Sequence, residues 1–408
     1  MTLYEELKWR GLIKDVTSPE LENKLNNEKL TFYIGTDPTA DSMHIGHYSS
    51  FLIAKRLAKA GHKPLLLIGG ATGRIGDPRP TTEREMKSIE EIEKNTKNLK
   101  KQAEEIFGFE VVDNYDWIKN INIIEFLRDY GKYFNINYML DKDIIRRRLE
   151  TGITFTEFSY MLLQSLDFLH LHETRGVNLQ VAGSDQWGNI TSGVDLIRKK
   201  LGDEVYAFTM PLILDQNGKK FGKSEGNALW LDKNKTSSYE LYQYLINTDD
   251  SMIESYLKVF TFLSPEEIMD IVSKHNNEPH LRLGQKTLAR EIITDLHGKE
   301  EYEKAVQISE NLFSGNIKEI NVNDLMIGLK DVPHFILKDE SLLDLLVNNN
   351  ICSSKREARE FLNNNAISVN GEIVNDESMF IDKTKTIEGK IVVIRRGKKK
   401  YYVGLVEE

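Results

Sequence analysis

The first strongly apolar stretch of the chain, Thr31-Phe32-Tyr33-Ile34, is β-branched and aromatic and predicts a buried strand. Asp37-Pro38 turns the chain. Apolar Ile45, Leu52 and Leu57 then return at roughly helical spacing, predicting a helix with Ser42 as its N-cap that runs toward Gly61. Pro64-Leu65-Leu66-Leu67-Ile68 is a continuous apolar run, the pattern of a strand buried on both faces, and the glycine-rich Gly69-Gly70-Ala71-Thr72-Gly73 ends it. Strand, helix and strand within about 40 residues form a βαβ unit, which requires parallel pairing. Ligands of such sheets bind beyond the carboxyl ends of the strands.

Residues 1 to about 30 read as helical, with Ser18-Pro19 as N-cap and first-turn proline. Residues 83–107 are charged and helical. Residues 116–149 read as helices carrying the aromatic cluster Tyr130, Tyr133, Phe134 and Tyr138, for which core packing is the plain reading. Residues 155–170 form an amphipathic helix that places Tyr160, Gln164 and Asp167 on one face. A solvated face would carry Lys and Glu instead, so these three predict a buried polar pocket. Further strands are predicted at 179–183 and 210–214. Residues 237–313 are helical in pattern, with Ser264-Pro265-Glu266-Glu267 as a helix start, and residues 314–338 read as a linker. In the tail, Ser354-Lys355-Arg356-Glu357 is a capping box, Asn370-Gly371 is a two-residue hairpin turn, and Ile391-Val392-Val393-Ile394 is a strand.

Composition narrows this picture. Of 408 residues, 40% are hydrophobic and 29% charged, as in a water-exposed globular chain of two or three domains. A single cysteine, Cys352, allows no intramolecular disulfide and no Cys-based metal cluster, and fits a reducing cytoplasm. The N-terminus lacks the pattern of a signal peptide, and no apolar stretch approaches the ~20 residues of a membrane helix. The net charge of −9 is uneven, because residues 351–408 carry 11 basic and 9 acidic groups. An acidic body with a locally basic tail suits a large polyanion bound at one end.

The candidate chemistry lies in His44-Ile45-Gly46-His47, at a helix start directly after a strand. Unpaired N–H groups and the helix dipole make such a place an anion site, and two histidines one turn apart can face one ligand. Histidines at this spacing also occur as zinc ligands, but no Cys pair or HExxH pattern accompanies them. These four residues resemble the HIGH signature of class I aminoacyl-tRNA synthetases, and Lys220-Phe221-Gly222-Lys223-Ser224 resembles the KMSKS signature of the same class. Phe155-Thr156-Glu157-Phe158-Ser159-Tyr160 and Gly183-Ser184-Asp185-Gln186-Trp187-Gly188-Asn189 are similar to the bacterial tyrosine-specific branch, and the resemblance extends over essentially the whole chain.

The resemblance implies an α/β fold with a Rossmann-like parallel-sheet catalytic domain over 1–225, containing a helical dimer-interface insertion. A helical domain over 226–320, a linker over 321–340 and a small α+β, S4-like RNA-binding domain over 341–408 follow. It implies attachment of L-tyrosine to tRNA(Tyr) through tyrosyl-adenylate, with ATP and Mg²⁺, by a cytoplasmic homodimer without a resident metal. Thr39, His44, His47, Lys220, Lys223, Ser224 and Arg84 are then the catalytic donors and cations. Tyr33 and Asp167 would bind the substrate phenol, and Tyr160, Gln164 and Asp77 its ammonium. Gln180 would support the pocket, with Gln186 near the reacting carboxyl. Gly35, Asp37, Gly46, Gly183 and Asp185 would join Lys223 in holding ATP. Lys355, Arg356, Arg359, Arg395, Arg396, Lys398 and Lys399 would meet RNA. The family's Gly-Lys-rich run after Gly-Asp-Pro is replaced here by Arg79-Pro80-Thr81-Thr82, so Arg84 is the cation left in register.

Two other readings are distinguishable. A tryptophan-specific synthetase shares the fold, but Asp167 opposite Tyr33 suits a phenol rather than an indole. A non-catalytic RNA-binding relative would be expected to lack one of His44, His47, Lys220 or Lys223, and all four are present.

Overall fold

The computed structural model describes residues 1–79, 82, 85–224, 227–397 and 400–407, with backbone alone at 223, 224 and 227. Two compact units emerge, one of residues 1–236 and 248–288, the other of 237–247 and 289–408.

The first unit is built on five parallel strands: β1 (Thr31–Thr36), β2 (Lys63–Ile68), β3 (Glu110–Asp113), β4 (Leu179–Gly183) and β5 (Tyr206–Met210), in the order β3-β2-β1-β4-β5. The helices α1 (Ile45–Lys59), α2 (Ile89–Phe107), α3 (Phe155–Arg175) and α4 (Trp187–Leu201) connect them. This is a Rossmann-like α/β unit. Parallel strands covered on both faces need apolar side chains at successive positions, and Phe32, Tyr33, Ile34 and Leu65 to Ile68 are all buried.

Several local expectations are corrected. Ser42 does not cap α1. Its hydroxyl is buried and bonds Met43 and Gln102, while His44 is the N-cap and accepts from the Gly46 N–H. Ser18 does not cap a helix either; the helix there, Leu21–Asn27, starts after Glu20 without a side-chain cap. The strand expected at 210–214 lies at Tyr206–Met210, because Pro211 has no N–H for a ladder and Leu212 and Leu214 are exposed. The edge strand β3 was not foreseen, being only four residues long. Helix α3 runs on past His170 to Arg175 and ends at left-handed Gly176.

The second unit has a five-stranded sheet, with α6 (Lys299–Ser314) and α7 (Val322–Gly328) before it and α8 (Leu342–Asn348) and α9 (Lys355–Asn363) within it; α5 (Ile253–Phe260) belongs to the first unit. Its strands are β6 (His334–Ile336), β7 (Ile367–Val369), β8 (Glu372–Ile373), β9 (Ile391–Arg396) and β10 (Lys400–Leu405), ordered β8-β7-β9-β10-β6. Alternate residues of β9 feed two cores. Val392 and Ile394 pack with Leu345, Leu346 and Leu362, whereas Ile391 and Val393 pack with Ile308, Leu312, Val322 and Leu325. Residues 314–338 are therefore core-forming and not a loose linker. The helices of 237–314 are divided between the two units. Asn370 (φ 50°) and Gly371 (φ 87°) make the expected hairpin turn. Ser354 caps α9 as expected, but the reciprocal arm differs, since Glu357 accepts from Ser353.

Candidate active site

In a sheet of order 3-2-1-4-5 the connections diverge between β1 and β4, which opens a crevice at their carboxyl ends. Tyr33 of β1 pairs in register with Gln180 of β4, and both side chains are buried beside that crevice. Asp37 follows β1, and Ser184–Gln186 follows β4 as a short 3₁₀ turn.

Deepest is a polar pair in an apolar surround. The Tyr33 hydroxyl is buried and has no hydrogen-bond partner among the described residues. Burial and the nearby Asp167 charge raise its pKa well above that of a free phenol. Asp167 is buried on α3 and accepts from Asn114 Nδ2 at Oδ2 and from Trp117 Nε1 at Oδ1, each at 3.0 Å. Burial pushes its pKa up to about 8, against the opposing pull of those two bonds. Asn114 in turn donates to Thr72 Oγ1 at 3.0 Å and accepts from the Ala71 N–H at 2.7 Å. Neither Asn114 nor Trp117 was foreseen. They lie just after β3, and the missed strand hid the fact that their segment reaches the crevice.

Toward the mouth, Tyr160 OH donates to Asp37 Oδ2 at 2.8 Å, and Thr72 Oγ1 donates to Asp37 Oδ1 at 2.7 Å. Asp37, expected among the nucleotide contacts, accepts from Tyr160 and Thr72 within the protein. Asp77 accepts from Gln186 Nε2 at 2.8 Å and from Asn189 Nδ2 at 3.2 Å, and Asn189 also reaches Gln164 Oε1 at 3.1 Å. One network therefore joins Asp77, Gln164 and Gln186 through Asn189, a further residue that sequence reasoning missed although it closes the quoted Gly183–Asn189 stretch. Tyr160 bonds Asp37 directly, and burial together with the nearby Asp37 and Asp77 charges raises its pKa well above that of a free phenol.

At the start of α1 the two imidazoles lie 4.0 Å apart. His44 Nδ1 accepts from the Gly46 N–H and His47 Nδ1 from the His44 N–H, both at 3.1 Å. Each ring therefore spends Nδ1 on the backbone. Enclosure and the adjacent His44 push the His47 pKa down to about 3, so it is neutral at physiological pH. A Cβ on Gly46 would stand 2.8 Å from His44 Cε1, so this glycine makes room for the His44 ring. Exposed Thr39 and Gly35 lie nearby in sequence, Thr39 in the turn after β1.

The second signature is seated on the first. Gly222 (φ +82°) would bring a Cβ within 1.8 Å of Ile45 Cγ2; the Leu229 N–H bonds Gly222 O, and the Ile45 N–H bonds Leu229 O. Phe221 is buried against Tyr256 and Phe260 of α5. Lys220 is exposed, and Lys223–Ser224 form one arm of a short hairpin with Asn227–Ala228. Gly183 ends β4 and Asp185 follows it. Arg84, Lys398 and Lys399 lie outside the described residues, as do the side chains of Lys223 and Ser224. Buried Arg148 donates to the Arg79 and Thr82 carbonyls and pairs with Glu157 at 2.9 Å.

In the second unit, Lys355 pairs with Asp344 at 2.7 Å and Arg359 with Glu377 at 2.5 Å, and Arg396 bonds the Ile351 carbonyl. Arg356 is exposed and Arg395 half-buried against Gly315. Exposed ion pairs of this kind hold little energy. No helix among the described residues is long and apolar enough to cross a membrane.

Similarity to known proteins agrees with this geometry. A model of class I tRNA synthetases (W and Y) matches residues 25–314, and one of the tyrosine–tRNA ligase SYY-like C-terminal domain matches 324–404. The chain is 50% identical over 410 residues to the tyrosine–tRNA ligase of Macrococcus caseolyticus, covering 98% of both. Identity to that of Listeria monocytogenes is 49% over 415 residues, covering 99% of both. A C-terminally truncated mitochondrial tyrosyl-tRNA synthetase from Aspergillus nidulans aligns with a TM-score of 0.67 and 34% identity, over 76% of this chain and 94% of that one. With crevice, paired imidazoles and full-length similarity in agreement, the chain belongs to the class I tRNA synthetases of the tyrosine and tryptophan family, within its tyrosine–tRNA ligases.

Proposed function

We propose that the chain activates L-tyrosine with ATP and transfers it to tRNA(Tyr). The observation that carries the specificity is the orphaned Tyr33 hydroxyl beside an Asp167 carboxyl group already held by two donors. A substrate phenol completes this set, accepting from Tyr33 and donating to Asp167. Phenylalanine leaves both groups buried and unmatched, which costs more than a lost contact. The substrate ammonium meets the acidic mouth formed by Asp37, Asp77, Tyr160 and Gln164, with Gln180 supporting the pocket.

The tyrosine carboxylate is already ionised, so attack on the α-phosphorus needs no general base. The O–P bond forms as the bond to pyrophosphate breaks, and the barrier lies in aligning two anions. Thr39, His44 and His47 supply donors at the helix start, where Gly46 leaves room. Lys220, Lys223, Ser224 and Arg84 supply charge and hydrogen bonds to the departing pyrophosphate. Gly35, Gly183 and Asp185 border the nucleoside, and Gln186 stands near the reacting carboxyl. A terminal ribose hydroxyl of the tRNA then attacks the carbonyl carbon, forming the ester and releasing AMP. Mg²⁺ enters with ATP and shares its phosphate charge. Among the described residues no three His, Cys, Asp or Glu side chains group as a metal site, so no protein ligand is assigned to it.

The domain order proposed is catalytic, helical and S4-like, with Lys355, Arg356, Arg359, Arg395, Arg396, Lys398 and Lys399 facing the tRNA. A homodimer is proposed through the helical insertion, where Ile123, Ile124, Leu127, Ile136, Leu149 and Phe155 are all exposed. The cytoplasm is the proposed location. Exchange of pyrophosphate into ATP, run with tyrosine, tryptophan and phenylalanine, tests the reading. Exchange with tyrosine alone is expected; folded protein inactive with tyrosine, or preferring tryptophan, overturns it.

A further inference from the structure

Asp167 is oriented by Asn114 and Trp117 together, and of the two Trp117 sits in the more precarious place. It belongs to a helix of only four residues, Tyr115–Ile118, which has little stability of its own. One end is pinned by Asn114, fully buried and bonded to the Ala71 N–H. The indole, three residues on, is half-buried and borders a surface cleft of about 330 Å³ whose wall also includes Asp113, Asp116 and Arg175. The indole N–H must nevertheless hold its direction to stay 3.0 Å from Asp167 Oδ1.

The flat face of the indole is covered by His170. The two rings are stacked, with centroids 4.5 Å apart and planes 13° from parallel. His170 lies three residues after Asp167 on α3, so one turn of one helix carries both the carboxylate and the plate that steadies its donor. Side chains at this spacing keep their relation as the helix moves, so stack and carboxylate shift together.

We infer that His170 is a positioning residue for tyrosine selection, acting by stacking on Trp117 so that the indole N–H stays on Asp167. The inference rests on the proposed role of Asp167 at the substrate phenol. His170 touches no substrate. Its contribution passes through one ring and one hydrogen bond, so it belongs to tyrosine binding and not to ATP binding.

The experiment is pyrophosphate exchange by the full-length chain and its His170→Ala and His170→Phe variants, with thermal unfolding followed alongside. His170→Ala is expected to raise the KM for tyrosine about two- to tenfold, the range an aromatic stack commands. The KM for ATP should stay unchanged. His170→Phe, which restores a flat ring, should recover most of the loss. In a Trp117→Phe background, which lacks the N–H, His170→Ala should add nothing, because the two changes cut the same link. An equal rise in both KM values, no recovery with Phe, or full additivity with Trp117→Phe overturns the inference. If His170→Ala does not fold, His170→Gln set against His170→Phe gives the same comparison. Wild-type protein without tyrosine-dependent exchange would overturn the proposed function itself. Wild-type exchange with an unaltered His170→Ala variant would overturn only this inference.

Discussion

At the scale of residues, the site stores unsatisfied chemistry that substrate completes. The Tyr33 hydroxyl is buried without a partner, so it costs stability in the free protein. Tyr33→Phe should therefore leave the unfolding temperature of the ligand-free protein unchanged or raised. The same change should raise the KM for tyrosine about two- to tenfold, the effect of one hydrogen bond. A calorimetric scan beside exchange kinetics checks both halves. Asp167 behaves oppositely to a salt-bridged carboxylate. Its pKa is about 8 in the folded chain, above the unfolded value near 3.9. Between those values the folded state binds more protons than the unfolded state. Stability of the free protein should thus fall as pH rises from about 4 to about 8 and level off above. Asp167→Asn should flatten that part of the unfolding-temperature profile, and an unchanged slope would place the titration elsewhere.

At the scale of elements, the two signature segments are one packed object. Gly222 meets Ile45, and the Leu229 backbone links both, so the start of α1 and the lysine loop share a backbone seam. Phe221 anchors the loop in the aromatic cluster of Tyr256 and Phe260, and Phe260 also stacks with Tyr48 of α1 at 6.4 Å. Gly222→Ala combines a left-handed φ with a clash against Ile45. It should lower stability by about 1–3 kcal/mol. It should also slow exchange about tenfold to a hundredfold by misplacing the loop. The KM for tyrosine should hardly move, since Tyr33 and Asp167 lie away from that seam in the chain. Steady-state kinetics with each substrate varied in turn would separate these effects.

At the scale of the whole molecule, exposed apolar side chains and shared cores set the expectations. Phe155 is 73% exposed at the start of α3, amid the apolar insertion. Phe155→Asp should shift the protein to monomers in sedimentation velocity while leaving its far-UV spectrum intact. A wild-type chain already monomeric at micromolar concentration would contradict the proposed dimer. Removing residues 341–408 should abolish tRNA charging and preserve tyrosine-dependent exchange. It should also lower the unfolding temperature, because Ile391, Val393 and Val403 leave the core that holds Ile308, Leu312 and Leu325. Loss of exchange in a folded truncated chain would make the tail structural for catalysis.

The sequence by itself determined the parallel sheet, the place of His44 and His47 at its carboxyl edge, the polar stripe Tyr160-Gln164-Asp167, and the Asn370-Gly371 hairpin. Each is set by local rules: apolar runs, turn residues and helical spacing act between near neighbours in the chain. What only the tertiary structure decided is how distant segments share a partner. Asn114 and Trp117 hold Asp167 from over 50 and 50 residues away, respectively 53 and 50 positions along the chain. Asp37 goes to Tyr160, 123 positions on, and residues read as a linker become half of a core because β9 offers them Ile391 and Val393. The reason is that buried polar groups must be satisfied and apolar faces covered, and the partner that does so is set by packing in space, which no local pattern encodes.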